Sequence, residues 1–139
     1  MSRTHGWFAT CLSLTALSLS AQIVHAQQYS LIELDTPAAA NYPLALGIND
    51  NDQVVGAISA SSAGEDPTLW NGATATTLGL AGGISGPALA VNNAGLIVGT
   101  TYTMQPNGTY LQRATVWNGG IATLLPTLGG TQGSALGIN

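Results

Sequence analysis

Asp50-Asn51-Asp52 sets three oxygen-bearing side chains in a row, inside the phrase ALGINDNDQVVG that runs from Ala45 to Gly56. A calcium loop opens in this way, with alternating side-chain oxygens around a hard cation. The corresponding stretch of a second copy reads Asn93-Ala94-Gly95, so the ligand set is not repeated, and no glutamate closes it. Asp50 and Asp52 are therefore read first as turn residues that tolerate left-handed backbone, and as calcium ligands only second. No metal and no cofactor is expected. Two further carboxylate pairs, Glu33 with Asp35 and Glu65 with Asp66, have the residue types that act as acid and nucleophile in sugar hydrolysis. Adjacent acids on a strand point to opposite faces, which weakens Glu65 with Asp66. Glu33 and Asp35 share a face of an edge segment, where a solvated charge discourages edge-to-edge pairing. Trp70 and Trp117, 47 residues apart, have the chemistry to stack on sugar rings. Their common place ahead of a turn favours a packing anchor between repeats instead. Asn107-Gly108-Thr109 matches a glycosylation acceptor, a pattern short enough to arise by chance.

The start of the chain reads as an export signal over residues 1–26. Arg3 and His5 supply a basic start, Trp7 to Leu19 is apolar, and Val24-His25-Ala26 is a small-residue cleavage site before Gln27. Ser13, Thr15, Ser18 and Ser20 interrupt an apolar run short of the roughly 20 residues that a membrane-spanning helix needs. Cleavage would remove both histidines, the only cysteine (Cys11) and Arg3. The 113 residues from 27 to 139 keep one basic residue, Arg113, against six acids, a formal charge of −5. Nucleic acid and anionic membrane surfaces are poor partners for such a chain, because binding phosphates requires clustered Lys and Arg. Without His, Cys or Lys, most acid-base and nucleophilic constellations cannot be assembled, and no enzymatic activity is expected. No disulfide can form, so stability must come from stacked apolar strands or from partners.

The elements that would position these residues recur. ALGINDNDQVVG returns as ALAVNNAGLIVG from Ala88 to Gly99 and as ALGIN at Ala135 to Asn139. Asn49 to Asn92 is a period of 43; Asn92 to Asn139 and Trp70 to Trp117 are periods of 47. The additional four residues fall in the polar segment from Thr101 to Gln112. Repeat 1 covers 44–87, repeat 2 covers 88–134, and 135–139 begins a third. Each copy predicts four short strands. The first two, Leu44–Ile48 with Gln53–Ser59 and Ala88–Val91 with Leu96–Thr101, are almost continuously apolar, as expected when both faces are covered. The others, Pro67–Trp70 with Ala73–Leu78 and Ala114–Trp117 with Gly120–Leu125, flank Asn71-Gly72 and Asn118-Gly119, which predict type I′ turns. Tyr29–Leu34, 90 residues before Gly119–Leu124, predicts a leading fourth strand. Asn49, Asn92, Gly56, Gly99, Trp70 and Trp117 are the expected packing anchors.

Four antiparallel strands per 43 to 47 residues is the arithmetic of a propeller blade. The expected fold is all-β: an open, propeller-like fragment of about two blades, with a β-solenoid as the alternative. Because stacked arrays normally end in capping units, a fragment of a longer reading frame is the preferred expectation, with self-association through open sheet edges as the other. The phrases ALGINDNDQVVG and LLPTLGGTQGSALGIN, with PTLWNG and RATVWNG, resemble the bacterial extracellular repeats named for a His-Ala-Phe tripeptide, the HAF family, over residues 29–139. Asp66-Pro67-Thr68 and Arg113-Ala114-Thr115 stand where that family has its tripeptide. The resemblance implies an exported, secreted, periplasmic or cell-surface repeat protein and supplies no catalytic residues. The expected function is non-catalytic binding or scaffolding, toward a ligand or cell-surface component that the sequence does not specify. The alternative is an exported carbohydrate-binding or carbohydrate-hydrolysing protein.

Overall fold

The computed structural model describes residues 28–37, 42–61 and 64–139; the expected export signal lies outside them. The chain divides into two compact units, Met1–Ser30 and Leu31–Asn139, and all strands belong to the second. Among the described residues there are eight: β1 (Tyr42–Ile48), β2 (Gln53–Ser61), β3 (Gly64–Asn71), β4 (Thr74–Thr77), β5 (Ala88–Val91), β6 (Ile97–Met104), β7 (Tyr110–Asn118) and β8 (Ile121–Leu124). They form two open four-stranded sheets, β1-β2-β3-β4 and β5-β6-β7-β8. Every strand pairing is antiparallel between sequence neighbours. The fold is thus two consecutive four-stranded blades, antiparallel throughout the described residues rather than the parallel coils of a solenoid.

The first hairpin of each blade is built by its asparagine. Asp52 N donates to Asn49 O at 3.3 Å and Asn49 N to Gln53 O at 3.1 Å; in the second blade Gly95 N donates to Asn92 O and Asn92 N to Leu96 O, both at 3.0 Å. Asp52 (φ 57°) and Gly95 (φ 79°) take the left-handed place that ends such a three-residue loop. In the strand ahead of each turn the register slips, between Ala45 and Gly47 and again between Ala88 and Ala90, so Leu46 and Leu89 are bulged at the same point of each copy. A Cβ on Gly56 would run into Leu44 O, and one on Gly99 into Pro87 O. Only glycine lets the paired backbones approach this closely.

The outer hairpins differ from expectation by one residue. Asn71 pairs with Thr74 and Asn118 with Ile121, so the loops are Gly72-Ala73 and Gly119-Gly120, and the asparagines end their strands. Gly119 (φ 55°) and Gly120 (φ 82°) make the type I′ turn. In the first blade only Gly72 (φ 60°) is left-handed, because Ala73 carries a Cβ that disfavours it; that turn is type II′. The paired residues Val54 and Trp70 are 16 apart in sequence and Ile97 and Trp117 are 20 apart, which places the four-residue insertion in the β6–β7 hairpin.

β5 lies against β1 and β2, and this contact holds the core. Val55 and Leu78 meet Ala88, Val91, Ile97 and Trp117, with Leu69 and Ala122 packed at the side. β2 and β6 are covered on both faces, as their continuous apolar runs predict. β1 is not: Ile48 is 68 % exposed where its counterpart Val91 is 7 % exposed. The sequences match, and the exposure differs because β5 has β1 and β2 packed against it. Residues 28–37 form no strand, and Leu31 is 98 % exposed. A ladder needs consecutive partners, and the backbone bond that ties this segment to the first sheet is Asp35 N to Ala73 O at 2.8 Å. Its counterpart is Gly79 N to Gly120 O at 3.3 Å, which aligns Leu34 with Leu78 and Leu125, one residue from the expected register.

Candidate functional site

The polar residues of the repeated phrase converge along the inner hairpins. Asn49 Oδ1 accepts from Asn51 N and Gln53 N, both at 3.0 Å, and Asn92 Oδ1 accepts from Ala94 N at 3.1 Å and Leu96 N at 2.9 Å. Each side chain thereby fixes its own turn. The amide nitrogens reach onward. Asn49 Nδ2 donates to Asn92 O at 2.9 Å, and Asn92 Nδ2 donates to Asn139 O at 3.1 Å. Asn49, Asn92 and Asn139 form a rail from one copy of the phrase to the next. A second set of bonds runs beside it: Asp50 N to Asn93 Oδ1 at 3.0 Å, Asn93 Nδ2 to Asp50 Oδ2 at 2.7 Å, and Asn51 Nδ2 to Asn93 O at 2.8 Å.

At the outer side the tryptophans make a parallel fastening. Trp117 Nε1 donates to Gly79 O at 2.6 Å and Trp70 Nε1 to Asp35 O at 2.8 Å, each bond crossing to the segment ahead of its own blade. The indoles are 0 % and 1 % exposed, so neither offers a face to a sugar ring. Such burial of a large aromatic is stable because its one polar group is bonded. Thr68 and Thr115, also buried, turn their hydroxyls to carbonyls two residues upstream, Asp66 O at 3.0 Å and Arg113 O at 3.1 Å.

The carboxylates lie on three separate segments. Glu33 and Asp35 lie on exposed coil rather than on one face of a strand, and Asp35 is held by its backbone. Glu65 and Asp66 are half-buried on β3. Asp50 is bonded to Asn93, and Asp52 occupies the left-handed turn position. Among the described residues no group of three or more His, Cys, Asp or Glu side chains is placed to hold a metal. Arg113 Nη2 donates to Leu125 O at 3.4 Å, while its Nε is buried without a hydrogen-bond partner.

Two clefts border the rail. One, of about 280 Å³, is lined by Asn51, Gln53, Asn71, Asn93, Ala94 and Gly95. The other, of about 560 Å³, runs along Asn49, Asn92 and Asn139 between Ile48, Val91 and Ile138. The amide wall of the first was not anticipated. Asn51 and Gln53 belong to the phrase, but Asn71 reaches them only because β2 pairs with β3. Asn93 was legible as the aligned partner of Asp50, 43 residues on. No family model, curated protein or solved structure matches the chain.

Proposed function

We propose that this chain is an exported β-repeat module that acts by binding or scaffolding outside the cytoplasm and carries no catalytic centre of its own. The observation that carries this reading is the use made of its repeated polar and aromatic residues. Asn49, Asn92, Asp50, Asn93, Trp70 and Trp117 are all engaged in hydrogen bonds between successive segments. Residue types that elsewhere ligate metals or bind sugars here hold blades together. The basic start, short apolar run and Val24-His25-Ala26 support export, and the resemblance to the HAF repeats points the same way. The test is expression in a Gram-negative host followed by fractionation and N-terminal sequencing. Recovery outside the cytoplasm with Gln27 first supports the reading; retention in the cytoplasm with residues 1–26 attached overturns export. Hydrolysis of a glycoside by the purified protein that is lost on Glu33→Gln would overturn the non-catalytic part.

A second reading concerns the ligand class. The cleft between Gln53, Asn71 and Asn93 is neutral and amide-walled. Amides offer donor and acceptor together, which suits a hydroxyl-rich neutral ligand such as a glycan better than an ion. Heat of binding to a panel of neutral oligosaccharides, lost on Asn71→Ala, would support it; no heat with any of them would remove it.

A further inference from the structure

We infer that Asn107, at the tip of the β6–β7 hairpin, is an acceptor for an N-linked glycan. Asn107-Gly108-Thr109 is the one Asn-X-Ser/Thr pattern of the sequence. It falls in the hairpin that is four residues longer than its counterpart in the first blade. The tripeptide alone decides little, since the same pattern also occurs where no transferase can reach it. The shape of the turn and the state of the side chain decide more.

Gly108 N donates to Gln105 O at 2.9 Å, and Gln105 N donates to Thr109 O at 2.8 Å, which closes a five-residue loop. Gly108 takes the left-handed position at φ 78°, while Asn107 is not among the residues of positive φ. This is a type I turn followed by a glycine bulge, with Pro106 at the second place, where its fixed φ fits. Asn107 stands at the outer corner. Residues 106–110 are all exposed, and a Cβ at Gly108 would meet nothing within 4 Å. The corner is open to an enzyme.

Asn107 Oδ1 accepts from Thr109 N at 3.0 Å and from Thr109 Oγ1 at 2.7 Å. A backbone N–H can only donate, so the carboxamide is held by its oxygen. Its Nδ2 makes no hydrogen bond among the described residues. Asn49, Asn51 and Asn93, by contrast, each use Nδ2 to bond the hairpin of the other blade. Asn107 thus holds its turn with one half of the side chain and leaves the nucleophilic half to solvent. The hydroxyl bond, which the third residue of the pattern supplies, also makes the amide protons more acidic. In the transfer, Nδ2 bonds to C1 of a sugar carried on a lipid diphosphate. The C1–O bond to that diphosphate breaks with its electron pair, and one Nδ2 proton passes to a base of the transferase.

The inference rests on the export reading above, because this pattern is glycosylated on secreted chains. The acceptor is tested on purified protein, so that its failure is separate from a failure of export. The 139-residue chain, made in a host without N-glycosylation, is incubated folded with a solubilised oligosaccharide transferase and a lipid diphosphate-linked oligosaccharide, beside a heptapeptide of residues 104–110. Mass spectrometry should find one glycan per chain, on Asn107, added no more slowly than to the heptapeptide, because the turn is already formed. Asn107→Gln and Thr109→Ala should each lose the glycan, and Thr109→Ser should keep it. A folded chain that stays unmodified, or is modified more slowly than the heptapeptide, overturns the inference. So does a glycan that survives Asn107→Gln, or a Thr109→Ala variant modified as the parent is.

Discussion

Asn49 donates its side-chain amide to the carbonyl of Asn92, 43 residues downstream, over 2.9 Å. Asn92 repeats the act toward Asn139, 47 residues further, over 3.1 Å. In each case the oxygen of the same side chain closes the local turn, so one residue type joins hairpin geometry to repeat stacking. The two functions are separable by chemistry, because an aspartate keeps the acceptor and loses the donor.

Asn92→Ala removes two turn bonds and the bond to Asn139, and at roughly 1 kcal/mol per net hydrogen bond should cost about 2–3 kcal/mol in urea unfolding. Asn92→Asp should cost about 1 kcal/mol, since the turn survives. Equal losses for the two variants would show that the donor half of the residue carries all of its contribution.

Trp117→Phe keeps most of the aromatic packing but strands Gly79 O and leaves a void beside Val91 and Ile97, at a cost of about 2–3 kcal/mol. Trp70→Phe should behave alike through Asp35 O. Denaturant midpoints compare them directly, and a harmless Trp117→Phe would mean that the indole N–H is not bonded.

Gly56→Ala and Gly99→Ala force a methyl into a paired backbone carbonyl and should each destabilise by about 3 kcal/mol or more. Gly137→Ala, with open space around its Cβ position, should stay within about 0.5 kcal/mol of the parent. Melting temperatures of the three variants check the contrast.

Arg113→Met removes a buried Nε–H that has no partner and only one long hydrogen bond, to Leu125 O. Stranding a buried donor costs about 1–3 kcal/mol, so the variant should melt at or above the temperature of the parent. A drop would show that the guanidinium is satisfied in solution.

How far the sequence reached is clear from particular residues. The offsets of 43 and 47 predict the two antiparallel sheets and the inner asparagine turns, because these rest on local spacing that recurs. The outer turns were placed one residue early, since Asn71 and Asn118 suit a strand end as well as a turn centre, and pairing with Thr74 and Ile121 decides between them. Tyr29–Leu34 is expected as a strand from its place 90 residues before Gly119–Leu124, yet these residues form none. The roles of Asp35 and Gly79 were not legible at all. They act through backbone carbonyls, which every residue has, and only the fold shows which ones face an indole. Likewise β1 and β5 share a sequence pattern, yet Ile48 is exposed and Val91 buried, because exposure depends on what stands across the sheet.

Hydrogen exchange at the two indole Nε1–H groups most directly tests the claim that the repeated residues fasten blade to blade. Both protons should exchange as slowly as the backbone amides of β2 and β6, and Trp117 should lose that protection when Asn49→Ala removes the bond to Asn92 O and loosens the contact between the sheets. Exchange of either indole at the rate of a free tryptophan in the folded protein would contradict it.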